Sequence, residues 1–120
     1  MKNVNAIDSI IDELVSLGSG NIDIMKFNKK WTFKIVNTEE HIAILDSSAA
    51  ADNSNDMMLR IFKMQQETMK QALVSIDDQI VSDDDKNKLF NQVNPYITQT
   101  LYRLYDAERA KKENEIENIK

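Results

Sequence analysis

His41 is the sole histidine of the chain, and cysteine is absent. Those two residue types supply most zinc ligands and most nucleophile–base pairs. The side chains that carry metal and acyl-transfer chemistry are therefore scarce, and a lone histidine just after Asn37-Thr38-Glu39-Glu40 reads as an exposed first-turn residue of a helix. Asp83, Asp85 and Asn87 occupy the first, third and fifth positions of a calcium loop, but Lys88 stands where glycine must make the sharp turn and Asn94 where a bidentate glutamate is needed. A loop begun at Asp77 fares worse, with Gln79 and Val81 at its third and fifth positions. These acids are assigned instead to turns and helix N-termini, where negative charge is favoured. Gly18-Ser19-Gly20 has no downstream Gly-Lys-Ser/Thr and no preceding strand, so it is a linker and not a phosphate loop. No two carboxylates are placed in an apolar pocket where they could share acid–base work. The sequence thus assigns no catalytic residue, no metal and no cofactor, and the chain reads as a non-enzyme.

Two segments carry binding signals. Lys26-Phe27-Asn28-Lys29-Lys30-Trp31-Thr32-Phe33-Lys34 interleaves cations with aromatics, the composition of a small nucleic-acid platform. Alternation places Trp31, Phe33 and Ile35 on one face and Thr32 and Lys34 on the other, so burial of an aromatic face accounts for the same pattern. The formal charge of −5 also disfavours a polyanion. Nucleic acid is accordingly set aside as a partner. The other segment holds Met57, Met58, Met64 and Met69, four of six methionines, together with Phe62. Methionine-rich helix faces adapt to varied partner helices. Helical spacing groups Met58, Phe62 and Met69 and turns Met57 and Met64 to a neighbouring face. With Tyr102 and Tyr105 near the end of the chain, these seven form the candidate partner-binding set.

The elements that would position them follow from periodicity. Val4, Ile7, Ile10, Ile11, Leu14 and Val15 recur at helical spacing, predicting a helix from about Asn5 to Leu17 that ends at Gly18. Ile22 and Ile24, then Trp31, Phe33 and Ile35, alternate as a strand, a turn at Asn28-Lys29-Lys30 and a second strand. A lone hairpin is marginal in water and must lie against helices or another chain. Asn37 and Glu40 have the spacing of a capping box, so a helix through His41, Ile42 and Leu45 follows. Asp46 to Asn55 suits a loop, although Ala49-Ala50-Ala51 could prolong the helix. A helix is predicted over Asp56 to Ser75, then a turn at Asp77-Asp78-Gln79 and a brief extended pair at Ile80 and Val81. Ser82 with Asp85 caps a helix carrying Leu89, Phe90 and Val93. Asn94-Pro95 starts the last helix, whose apolar face is Ile97, Leu101, Leu104 and Tyr105.

Length and composition bound the whole. At 120 residues, 42% hydrophobic and 29% charged, the chain has the size and balance of one globular domain. Two glycines and one proline are too few to punctuate a sheet-rich fold. The expected class is α+β and predominantly helical, a small N-terminal β-hairpin packed with a bundle of about four to five helices. Its parts are an N-terminal helix (1–17), a linker (18–21), the hairpin and helical core (22–106) and a charged C-terminal helix extension (107–120). No basic start with an apolar run suggests a secretory signal and no stretch has spanning length, so a cytoplasmic protein is expected.

The run Trp31-Thr32-Phe33-Lys34-Ile35, the Asn37-Thr38-Glu39-Glu40 helix start, the segment Met69-Lys70-Gln71-Ala72-Leu73-Val74-Ser75-Ile76-Asp77, the acidic Ser82-Asp83-Asp84-Asp85 and the closing Leu101-Tyr102-Arg103-Leu104-Tyr105 together resemble tail assembly chaperones of tailed bacteriophages over roughly residues 22 to 106. Asp78 stands where such proteins often carry glycine, a departure that aspartate tolerates because it can visit left-handed backbone. The resemblance implies a protein of the host bacterial cytoplasm that binds the tape-measure protein, and the tail-tube protein as a further candidate, without cofactor or catalysis. A structural baseplate or tail-hub component of the virion is the alternative, and a nucleic-acid-binding regulator a more distant one. Open hairpin edges also allow a homo-oligomer.

Overall fold

The computed structural model describes residues 2–49 and 56–120. The fold is α+β and predominantly helical. Its elements run α1 (Lys2–Leu17), β1 (Asn21–Lys26), β2 (Lys29–Lys34), α2 (Thr38–Ala49), α3 (Met57–Ala72), β3 (Leu73–Ile76), β4 (Gln79–Ile80), α4 (Asp83–Gln92) and α5 (Pro95–Glu117).

The two strand runs read in the sequence form a hairpin in which Ile22 lies opposite Phe33 and Ile24 opposite Trp31. All four side chains are buried on the same face. The turn falls at Phe27-Asn28, one residue before the predicted one, and both residues adopt left-handed backbone, with φ of 55° and 60°. Such a two-residue turn matches the twist of paired strands, which lets Lys29 and Lys30 join β2.

The sheet has four antiparallel strands in the order β1-β2-β3-β4, twice the predicted number. Of the two additional strands, β4 begins at Gln79 of the predicted turn and takes in Ile80 of the brief extended pair, whereas β3 comes from the segment assigned to the long helix. That helix stops at Ala72, where the Leu73 N–H still reaches the Met69 carbonyl, and the chain turns directly into β3. Trp31 pairs with Ile76, Thr32 with Ser75 and Phe33 with Leu73, with a bulge between Thr32 and Phe33. Pairing with β2 satisfies the backbone of Leu73–Ile76 and buries Leu73 and Ser75, a gain available only in three dimensions. A second left-handed turn at Asp77-Asp78 leads into β4. Asp77 locks this turn to the first hairpin: its N–H donates to the Lys30 carbonyl at 2.8 Å, and its carboxylate accepts the Lys30 N–H at 2.8 Å.

One face of the sheet carries the core, closed by α3 and α5: Ile22, Ile24, Trp31, Phe33, Met69, Ala72, Leu73, Phe90, Leu101 and Tyr105. The predicted caps are in place. Asn37 and Glu40 exchange backbone-to-side-chain bonds of 3.0 and 2.9 Å at the start of α2. Ser82 accepts from the Asp85 N–H, and Asn94 from the Tyr96 N–H ahead of Pro95. Helix α2 extends to Ala49, overtaking the first four residues of the loop predicted from Asp46; the remainder of that loop, 50–55, lies outside the described residues. Helix α5 continues unbroken past Ala107, so the charged extension forms its last turns. The last turn of α1 borders the end of α5, with Ser16 and Leu17 sharing a cleft with Lys112, Glu115, Ile116 and Ile119, and Ile116 Cδ1 lies 4.0 Å from the place a Cβ on Gly18, just past the helix, would take.

Candidate functional site

Helices α3 and α5 lie side by side, and on the side turned away from the sheet they leave a groove of about 380 Å³. Met58, Ile61, Phe62 and Gln65 of α3 form one wall, and Tyr96, Gln99 and Arg103 of α5 the other. The spacing of each helix dictates this. In α5, Leu101, Thr98 and Tyr105 point at the sheet, which rotates Tyr96, Gln99 and Arg103 roughly 150° away at 100° per residue. In α3, the C-terminal half is anchored by buried Gln66, Thr68, Met69 and Ala72, while the N-terminal half, in a helix that packs beside α2, has no buried residue. There Met57 is 68% and Met58 77% exposed, and Leu59 and Ile61 remain about half exposed. Asp56 holds the start of this half by accepting the N–H groups of Met58 and Leu59.

The candidate set divides along the same line. Met57 and Met58 are open, Phe62 and Met64 half-buried, and Tyr102 half-buried with its hydroxyl pushed up in pKa by burial and by Asp106. Met69 and Tyr105 are corrected: both are fully buried and cannot meet a partner. Met69 falls beneath the sheet. Tyr105 packs edge-on against Phe33 with ring centroids 5.6 Å apart, donates to the Lys34 carbonyl and accepts the Val36 N–H. Sequence reasoning missed Ile61, Leu59 and Tyr96 as exposed groups and Arg103 as the cationic rim. Tyr96 had a signal, since it follows Pro95 in the first turn and cannot share the Leu101–Tyr105 face.

The basic hairpin is built otherwise. Trp31 and Phe33 are in the core, and the Trp31 indole N–H donates to the Lys26 carbonyl at 2.9 Å, so neither ring offers a face for base stacking. Its lysines are partnered: Lys29 with Asp77 at 3.5 Å, Lys30 with Asp78 at 2.5 Å, and Lys34 with Glu40. The Asp77 carboxyl is held below its ordinary pKa, chiefly by the Lys30 N–H. Burial pushes the Glu40 carboxyl up, but Lys34, the Asn37 N–H and the more distant Lys86 together hold it low. Lys26 lies 5.8 Å from the Phe27 ring centroid.

His41 is exposed in the first turn of α2 and borders a cleft with Arg109, Lys112 and Glu113. Arg109 is taken up by Asp106 and by Glu113. Among the described residues, no group of three or more acidic, histidine or cysteine side chains is placed to hold a metal ion, and no helix is long and apolar enough to cross a membrane. Compared with protein-family models, curated proteins and solved structures, the chain matches none.

Proposed function

We propose that this chain is a non-enzymatic assembly chaperone that seats an amphipathic helix of a client in the groove between α3 and α5. The carrying observation is that groove: lined by Met58, Ile61, Phe62 and Tyr96 with Gln65, Gln99 and Arg103, and headed by the exposed Met57 and Met58. An amphipathic helix presents anchors at every third and fourth position, which suits a trough between two helices. Methionine side chains can repack around anchors of differing shape. Burying roughly 500 Å² of apolar surface yields about 12 kcal/mol gross at about 25 cal/mol per Å², most of it offset by association costs of about 4–15 kcal/mol. The balance favours reversible holding, which an assembly factor needs in order to release its client.

The order of motifs directs the choice of client. As a tail assembly chaperone, the chain acts in the host bacterial cytoplasm on the tape-measure protein, a long helical chain whose apolar stripes aggregate if uncovered, with the tail-tube protein as a second candidate. The test is co-expression with the tape-measure protein of the same phage, followed by pull-down. A larger soluble fraction of the client and its co-purification are expected. An unchanged soluble fraction with no co-purification contradicts the proposal, and recovery of the chain in purified particles places it in the virion instead.

A further inference from the structure

Helix α1 displays the largest apolar stripe that the fold leaves unused. Ile7, Ile10, Ile11, Leu14 and Val15 share one side and are each half or more exposed, together roughly 500 Å², as large as the biggest patches of typical monomers. Asp8 borders that stripe and Asp12 and Glu13 lie on the opposite side of the helix, and among the described residues none of the three forms an ion pair. The α3/α5 groove is the matching surface: Met58, Ile61, Phe62 and Tyr96 in its lining, comparable length, and Arg103 on its rim, whose guanidinium is bonded to the Thr100 hydroxyl and, among the described residues, to no carboxylate.

The chain's own α1 cannot lie there. Residues 18–20 alone connect it to β1, a span of about 10 Å when extended. Asn21 pairs with Lys34, whose carbonyl is bonded to Tyr105 on the sheet side of α5. The groove opens on the far side of α5, around a helix about 10–12 Å across with its side chains.

We propose that α1 occupies the α3/α5 groove of a second copy of this chain, and that the exchange is reciprocal. Area decides between one-way and two-way docking. A single helix in a single groove buries roughly 1,000 Å² in total, short of the ~1,200–2,000 Å² of stable interfaces, whereas the two-fold exchange buries about twice as much. Pairing α1 with α1 also buries only about 1,000 Å². The exchange lets Asp8, at the edge of the stripe, meet Arg103 on the groove rim. It uses the groove assigned to the client, but it does not depend on there being one.

The test is the solution mass of the full chain alone, by light scattering over a dilution series. Twice the 13.8 kDa of one chain is expected, falling to the single-chain mass in Ile11→Asp and equally in Ile61→Asp, with circular dichroism unchanged because both residues are exposed. The cysteine-free sequence permits a second measurement: Ile11→Cys mixed with Ile61→Cys should form a disulfide-linked pair, and Ile11→Cys alone should not. A single-chain mass at every concentration, a mass above two chains, or cross-linking of Ile11→Cys to itself in preference to Ile61→Cys overturns the proposal. None of these readouts involves a client, so failure here leaves the holding function standing, and the converse.

Discussion

Tyr105 and Lys34 are joined by a hydrogen bond of 3.0 Å from the phenol to the backbone carbonyl, and the same phenol oxygen accepts the Val36 N–H at 3.3 Å. One side chain of the last helix therefore fastens the segment that leaves the central hairpin. Tyr105→Phe keeps the ring against Phe33 and strands both backbone groups, so a loss of about 1–3 kcal/mol in urea unfolding is expected. Burial raises the Tyr105 pKa above its ordinary 10.0. The folded state binds that proton more tightly, so this contribution is full below pH 10 and is lost as pH rises through the folded value. The alkaline fall in stability should be shallower in Tyr105→Phe.

Two methionines of one helix should behave as opposites. Met69 is completely buried, and Met69→Ala is expected to cost about 2–5 kcal/mol through the cavity it opens. Met58 is 77% exposed, and Met58→Ala should change stability by no more than about 0.5 kcal/mol. Paired denaturation curves decide this, and equal losses would contradict the division of α3 into a buried C-terminal half and an exposed start.

Acid should loosen the junction of the two hairpins at Asp77 and the start of α2 at Glu40. Asp77 and Glu40 are held below their ordinary values of 3.8 and 4.5. A depressed carboxylate contributes stability above its unfolded pKa and loses it as pH falls through the folded one. Stability should thus decline on acidification from about pH 4.5 downward. In Asp77→Ala and Glu40→Gln the decline should be less steep, since each removes one of the titrating groups.

Thr98 offers a stabilising change. Its side chain is fully buried on the sheet face of α5, and its hydroxyl has no hydrogen-bond partner among the described residues. Thr98→Val replaces the unpaired hydroxyl by a methyl group of the same shape, and a gain of about 1 kcal/mol is expected in the same unfolding assay.

Much of this architecture was legible locally. Asn37 with Glu40, Ser82 with Asp85, and Asn94 before Pro95 are signals confined to four residues, and each caps the helix it announces. The alternation of Ile22, Ile24, Trp31 and Phe33 fixed which face is buried, because a strand has only two. Leu73–Ile76 was not legible as a strand. Its pairing partner Trp31–Phe33 lies some forty residues earlier, and the apolar spacing of α3 runs smoothly into it. Met69 and Tyr105 already lay on the apolar sides of their helices, and assigning them to a partner overlooked that the chain's own core takes those sides, Tyr105 against Phe33 of β2. Phe27 was left out of the turn because a phenylalanine in left-handed backbone runs against local preference. The apolar side of α1 was evident from spacing, but its exposure among the described residues is a property of the assembled fold.

The claim that the α3/α5 groove seats a client helix is tested most directly by fluorescence polarisation of a labelled amphipathic helical peptide from the tape-measure protein. The account predicts saturable binding to the native chain, loss of that binding in Met58→Asp with unchanged unfolding, and undiminished binding in Lys29→Glu/Lys30→Glu. Equal binding by the native chain and Met58→Asp, or none by either, would contradict it.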